Sequence, residues 1–252
     1  MLSAERRSYL SDVLRRDGKI VAKSAAAELG LSEDSIRRDL REMAAEGLCQ
    51  RVYGGALPMS PALAEYDRRR RIGVAAKHQV ASAAVQLIDS GSTIILDGGT
   101  SALAVASLLP PTLHCTVVTH SPTIASALVE HPAVDVFIIG GRLFKHSAVA
   151  SGAAAAEAAT RISADVFFLG VTGIHPEAGL TTGDPDEAAM KRVLASRAAE
   201  TYVLGSSEKI GAASSYSVIG LHEASGLITD ADQQSEVVRT LSDRVRIIPA
   251  VP

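Results

Sequence analysis

The chain has 252 residues, 47% of them hydrophobic and 4% aromatic, with no tryptophan; that length suits one or two domains with cores built from Ala, Val, Leu and Ile. Its two cysteines, Cys49 and Cys115, stand far apart with no C-x-x-C spacing, which argues against a disulfide framework or a thiolate zinc site and fits a reducing cytoplasm. The net charge of −3 hides an asymmetry: residues 1–75 hold 14 basic and 11 acidic side chains and the remainder 11 basic and 17 acidic, a basic head on an acidic body that fits nucleic-acid binding confined to the head.

The N-terminal MLSAERRSYL lacks an apolar signal-peptide core, and no apolar run reaches 18 residues; a soluble, cytoplasmic protein with no membrane partner is expected. Leu10, Val13 and Leu14 give a first helix an apolar stripe that ends at Gly18. Residues 23–29 (KSAAAEL) predict a second, short helix, and Gly30 a turn. From Ser32, a suitable cap, to Gly47, a suitable stop, runs a third helix. Ile36, Leu40 and Met43 share one stripe of it facing a core, which turns Arg37, Arg38 and Arg41 outward together with Asp34.

Helix, short helix, turn, helix is the helix-turn-helix order, with the last helix as reader of a major groove. Residues 48–53 (LCQRVY) predict a strand, and Gly54-Gly55 the tip of a hairpin wing carrying Arg51 and Tyr53. The plain reading of such arginines is a solvated face, and Glu33, Asp34 and Glu42 place negative charge beside them. The acids also suit the first turn of a helix. Ser35, Arg37 and Arg38 are the candidate readers of base edges, with Arg41, Arg51 and Tyr53 positioning the backbone.

Residues 1–57 thus form a winged helix-turn-helix domain, 58–75 a linker and 76–252 a second domain. The linker has two prolines, Pro58 and Pro61, and a short helix ending in Arg68–Arg71. Its four arginines could touch flanking phosphates or simply be hydrated.

Beyond residue 77 a helix over 77–89 leads into apolar runs at 93–97, 115–119, 134–139, 165–171, 201–204 and 226–229. Helical stretches at 101–109, 122–130, 152–162 and 185–198 separate most of them. Continuous apolar strands alternating with helices predict an α/β fold with a doubly wound, largely parallel sheet covered on both faces.

Ligands of such sheets sit beyond the strand carboxyl ends. There the sequence places Asp97-Gly98-Gly99-Thr100-Ser101, Thr119-His120-Ser121, Gly140-Gly141-Arg142 and Ser206-Ser207-Glu208-Lys209, plus Glu187 and Lys191 in the segment following residue 173. Glycine, hydroxyl and cation at one edge favour a small phosphorylated ligand. Neither G-x-G-x-x-G nor a Walker sequence occurs, so no dinucleotide or Mg-nucleotide cofactor is expected. Taken singly, D-G-G-T can be an ordinary turn, and Glu187/Lys191 an exposed i, i+4 ion pair. The seven histidines show no metal spacing.

S-I-R-R-D-L at 35–40, G-L at 47–48 and R-V-Y-G-G-A at 51–56 resemble the signature of DeoR-type repressors. So, in the same order, do D-G-G-T-S at 97–101, T-H-S at 119–121, G-G-R at 140–142, F-L-G at 168–170, G-L-T at 179–181 and S-S-E-K at 206–209. The resemblance covers nearly the whole chain. It implies a bacterial regulator, usually a repressor of carbohydrate genes, whose effector domain is similar to ribose-5-phosphate isomerase and whose inducer is a phosphosugar.

Carried over, Asp97, Gly99, Thr100 and Ser101 hold a phosphate or sugar hydroxyl, and Thr119, Ser121, Arg142 and Lys209 complete the pocket with Glu187 and Lys191. The family pattern departs at three places: Ser101 replaces a second Thr, His120 an Asn, and Ser206 an Asp. The partners implied are double-stranded operator DNA, a sugar phosphate and, because a repeat needs two heads, a dimer or tetramer of this chain. The competing expectation is a sugar-phosphate isomerase with an accessory head, for which Asp97 and Glu187 are the carboxylate candidates.

Overall fold

The computed structural model describes residues 2–251; Met1 and Pro252, the outer limits of the two expected domains, lie outside the described residues. The head consists of α1 (Ser3–Asp17), β1 (Ile20–Val21), α2 (Ala22–Leu29), α3 (Glu33–Ala45), β2 (Gln50–Val52) and β3 (Gly55–Leu57). Ser32 caps α3 by accepting from the Ser35 amide, while the Gly47 and Leu48 amides return to the carbonyls of Ala44 and Met43 and close its last turn with Gly47 at positive φ. Leu10, Ile36, Leu40 and Met43 meet in the head core, each contributing roughly 1.5–3 kcal/mol by burial.

The wing is present, but its tip falls at Tyr53-Gly54 and not at Gly54-Gly55: Val52 pairs with Gly55, which leaves a two-residue loop. Gly55 belongs to the strand, where it also pairs with Val21 of β1. A Cβ at that position would lie 1.7 Å from the Ile20 carbonyl oxygen.

The chain continues through a single 3-10 turn (Pro61–Leu63) and α4 (Tyr66–Arg69), then α5 (Val74–Val85), β4 (Thr93–Leu96), α6 (Thr100–Leu108), β5 (Cys115–Thr119), α7 (Pro122–Leu128) and β6 (Val134–Ile138). A hairpin, β7 (Arg142–Phe144) and β8 (Val149–Ser151), precedes α8 (Ala153–Thr160) and β9 (Ala164–Gly170). Next come β10 (Gly173–His175), β11 (Gly179–Thr182), α9 (Pro185–Ala195), β12 (Ala198–Leu204), β13 (Tyr216–Ser217), β14 (Gly226–Thr229), α10 (Glu236–Ser242) and β15 (Ile247–Pro249).

Seven strands form one parallel sheet in the order β15-β14-β12-β9-β4-β5-β6. Alternation along each strand supplies two cores: Ile94, Leu96 and Phe168 on one face, Ile95, Phe167 and Leu169 on the other. The doubly wound architecture and its six predicted strands are therefore present, with β15, α10 and the small antiparallel strands in addition.

From β4 the order runs outward one way through β5 and β6 and the other way through β9, β12 and β14. Strand order reverses between β4 and β9, which opens a crevice at their carboxyl ends. Residues within 58–75, the expected linker, lie on the body. Ser60 is buried and donates to the Thr172 carbonyl, the Tyr66 hydroxyl meets Thr123 at 2.9 Å, and Met59 bridges to Ala213. Among the described residues no helix is long and apolar enough to cross a membrane.

Candidate functional site

On α3 the exposed side chains include Arg37, Arg38 and Arg41, with Ser35 half-buried at the helix start. Glu33 holds Arg37 at 2.7 Å one turn away, and Ser35 Oγ lies 2.9 Å from Ser32 Oγ. Asp39 is turned inward. It accepts from Arg6 Nε at 2.7 Å and Nη2 at 3.0 Å, a two-pronged pair that ties α1 to α3 and that the sequence pattern did not reveal. Glu46 is taken up by Arg7. Part of the acidity of α3 is thus spent within the head, and the arginine face stays outward. Arg51 is exposed on β2, and Tyr53 projects fully from the wing tip.

A second candidate site occupies the crevice between β4 and β9. Its walls are Gly98, Gly99, Thr100 and Ser101 after β4 and Gly170, Val171 and Thr172 after β9, with Thr182, Glu187, Lys191, Glu208 and Lys209 from the neighbouring segments. Gly99 has φ 95° and opens α6. Asp184 caps α9 through the amides of Asp186 and Glu187, fixing the turn that aims Glu187 and Lys191 inward. The free volume between these walls is about 30 Å³, room for about two water molecules.

Asp97 is completely buried under this cleft. It binds Lys191 Nζ at 2.5 Å, His120 Nε2 at 3.0 Å, and the amides of Gly98 and Gly170 at 2.8 Å each. Burial alone would push its carboxyl up, but Lys191 and His120 outweigh that and hold it well below the usual carboxylate range. Its oxygens are occupied, so it orders the cleft floor and is not disposed to hold a sugar hydroxyl or act as a base. Lys191 and Glu187 likewise do not pair with each other. Lys191 goes to Asp97, and Glu187 accepts from Thr182 Oγ1 at 3.3 Å.

Lys209 Nζ donates to Ser101 Oγ and the Leu204 carbonyl, both at 2.9 Å. Burial is the main cause that pulls its ammonium down to about 8, Glu208 opposes it, and Lys77, Arg69 and Lys191 add to the depression.

The expected residues divide. Gly99, Thr100, Ser101, Glu187, Lys191 and Lys209 line the cleft. Thr119, His120 and Ser121 are buried but lie outside its lining, because the β7–β8 hairpin folds over the end of β5. His120 Nδ1 meets the Ala150 carbonyl at 2.9 Å, Ser121 Oγ donates to the Ala148 carbonyl at 3.0 Å, and Thr119 Oγ1 accepts from the Ser121 amide. Arg142 is exposed on β7, outside the cleft.

Two cations were missed. Arg69 comes from the four-arginine run, of which Arg68, Arg70 and Arg71 are exposed while Arg69 is buried against the cleft. Lys77 sits on the buried stripe of α5 with Val80, Ala81 and Ala84, and a lysine on an apolar stripe is a legible sign of a functional or paired charge. Among the described residues no grouping of His, Cys, Asp and Glu could hold a metal ion.

Residues 73–231 match the family described as the DeoR C terminal sensor domain, and residues 6–61 the DeoR-like helix-turn-helix domain. The chain is similar to the HTH-type transcriptional regulator GlpR of Haloferax volcanii, with 33% identity over 94% of this chain and 95% of that protein. It is also similar to the putative aga operon transcriptional repressor of Escherichia coli O157:H7, with 31% identity over 90% and 86% respectively. A solved structure, ribose 5-phosphate isomerase A from Methanocaldococcus jannaschii, aligns at 16% identity with a TM-score of 0.37 over 50% of each chain.

Proposed function

The chain belongs to the DeoR family of helix-turn-helix transcriptional regulators, and on that premise we propose that it represses carbohydrate-metabolism genes and leaves its operator when a phosphorylated sugar enters the β4/β9 cleft. The head binds DNA through Ser35, Arg37, Arg38 and Arg41 of α3, with Arg51 and Tyr53 of the wing on the backbone. The observation that carries the effector half is charge. Arg69, Lys77, Lys191 and Lys209 surround one cleft against Asp97, Glu187 and Glu208, and that excess of cations in a buried setting favours a compact anion.

A sugar phosphate shifts the regulator only by binding its DNA-free arrangement better, on the usual scale of about 1–3 kcal/mol. Mobility shift on the gene's own upstream DNA, repeated with a panel of sugar phosphates, tests both halves. A shift at low salt that one phosphosugar reverses is expected; no shift sinks the regulator reading of this head.

Lys209 gives the cleft a pH dependence. A sugar phosphate is fully dianionic above about pH 6–7, so its affinity should be flat near pH 7 and fall as pH rises through about 8, where Lys209 loses its proton. The sign for folding is opposite. The unfolded chain holds that proton up to about pH 10.4, so burying the charged lysine costs stability below about 8, and the cost is relieved as pH rises between those values. Calorimetric titration from pH 6.5 to 9.5 measures the first effect, and Lys209→Met should remove the alkaline limb along with most of the affinity. An affinity constant across that range would take Lys209 out of the site.

We further propose a homo-oligomer, since one winged helix covers one half-site and a repeat requires two heads. Val136, Phe137 and Ile138 are 37%, 52% and 50% exposed on β6, the sheet's edge strand. An exposed edge that carries a single charge, Asp135, is a template for pairing, and a second copy suits it. Antiparallel pairing about Val136 sets Val134 opposite Ile138 and Asp135 opposite Phe137, with no like charges facing. Phe137→Asp should lower the mass measured by sedimentation and weaken operator binding tenfold or more; an unchanged mass would move the interface elsewhere.

A further inference from the structure

We propose that residues 58–72, the strap between head and body, form a wall of the effector cleft, and that Arg69 on this strap binds the anionic group of the effector. The ligand would then act directly on the segment that leads back to the wing. This rests on the reading of the cleft as an effector site.

The first support is a pair of unmet polar atoms. Arg69 is 8% exposed. Its Nη2 donates to the His146 carbonyl at 2.8 Å and lies 3.4 Å from Ser147 Oγ, but its Nε is buried with no partner, and so is Glu208 Oε2. Both residues line this one cleft. A buried donor left unmet is costly, and such groups call for a particular explanation; a ligand that offers an oxygen to Arg69 and a hydroxyl to Glu208 supplies one. That requirement describes a phosphorylated polyol or sugar better than a bare anion. The fixed fork of a guanidinium suits phosphate oxygens.

The second support is space. Only about 30 Å³ is free between the walls, so the cleft is narrow as it stands, and a wall that moves would widen it for a sugar. The sheet ends are fixed by the Asp97 network, whereas the strap adds no residue to either core of the body and is tied by the Met59 bridge to Ala213 and by polar contacts: Ser60 to Thr172, Tyr66 to Thr123, Arg69 to the His146 carbonyl and Ser147, and Lys77 Nζ to the carbonyls of Arg69 and Ile72 at 2.6 Å each. Segments with few buried apolar contacts open at less cost than a core does.

The third support is connectivity. β3 ends at Leu57 and the strap begins at Pro58, so movement of the strap reaches the wing through one peptide bond. Gln50 of β2 touches Ser215 of the body at 3.4 Å, a polar contact that such movement would strain or release.

The strap carries its own reporter, because Arg68, Arg70 and Arg71 are exposed and trypsin cleaves after arginine. The full chain would be digested with and without ribose 5-phosphate, fructose 6-phosphate, glycerol 3-phosphate or inorganic phosphate, with binding followed in parallel by calorimetry. A phosphosugar that binds should slow cleavage after these arginines fivefold or more relative to cleavage elsewhere, and inorganic phosphate should protect less. Arg69→Gln should weaken that binding tenfold or more and abolish protection, and Arg69→Lys should recover part of the affinity. Binding to the unaltered chain with unchanged or faster strap cleavage overturns the role of the strap and leaves the cleft as effector site. Absence of binding by every sugar phosphate in the panel overturns the effector reading itself.

Discussion

Asp97→Asn should destabilise the effector domain by about 3–5 kcal/mol, the range expected when one partner of a buried ion pair is removed. Asn is nearly the same size, so no cavity explains the loss. The carboxylate is 0% exposed and accepts from Lys191, His120 and the amides of Gly98 and Gly170. An amide offers one acceptor oxygen and two donor hydrogens to a ring of donors, so at least one donor is turned against another. Lys191, 4% exposed, would be left buried without its carboxylate partner.

Against a typical total of about 5–15 kcal/mol, such a loss is large enough to leave part of the population unfolded at physiological temperature. Urea unfolding at pH 7 measures it, and a change below about 1 kcal/mol would remove Asp97 from its central place. The double change Asp97→Asn, Lys191→Met should be less destabilised than Asp97→Asn alone, because the unpaired lysine goes too. Acid supplies an independent check. The folded carboxyl titrates below its unfolded value, so its contribution is complete above about pH 4 and is lost as pH falls beneath that. The gap between the native chain and Asp97→Asn should therefore narrow only in strong acid.

How far the sequence announced this site depended on whether a role is local. The alternation of Ile94, Ile95 and Leu96 with helical stretches made the parallel sheet legible, since each strand buries both faces. Glycine at 99 and hydroxyls at 100 and 101 were legible as a strand-to-helix turn at a ligand edge. Lys209 was legible because it closes the short hydroxyl-bearing loop Ser206-Ser207-Glu208-Lys209 that follows the end of β12 at Leu204.

The rest depended on partners far along the chain. Nothing local separates Arg69 from Arg68, Arg70 and Arg71, and only packing of the strap on Ser147 and Lys77 selects it. Asp97 reads as a ligand-binding carboxylate until Lys191, 94 residues away, takes its oxygen. Thr119, His120 and Ser121 sit at the correct end of the correct strand, yet β7 and β8 cover them, and residues 142–151 carry no periodicity that foretells a hairpin. Arg142, placed at the pocket by its position after an apolar run, goes out with that hairpin. Glu187 and Lys191 at i, i+4 read most simply as a surface pair, whereas the turn fixed by Asp184 rotates both into the cleft.

Replacing Arg37 and Arg38 together with Ala should weaken operator binding by about 2–6 kcal/mol, from roughly 1–3 kcal/mol for each arginine that reads a base. The resting structure shows why the loss is not blunted by existing contacts. Arg37 is held by Glu33 at 2.7 Å, but both side chains are open to solvent, 54% and 39% exposed, and an exposed i, i+4 pair is worth only about 0.3–0.5 kcal/mol. A guanine edge or phosphate outbids it easily, so Glu33 orients Arg37 without imprisoning it.

The head fold should survive, since Ile36, Leu40 and Met43 carry the packing and Asp39 keeps its tie to Arg6. Specificity then separates two roles that one affinity cannot. If the pair reads bases, binding to the operator falls far more than binding to unrelated DNA. If it only neutralises phosphates, both fall by the same factor, and the slope of log affinity against log salt drops by about 0.9 per lost contact. Arg51→Ala on β2 serves as the control for the second pattern, because a wing arginine beside the backbone should lower both affinities together. A double variant that behaves like Arg51→Ala would leave α3 as an anchor and move sequence reading to the wing tip, where Tyr53 stands fully exposed.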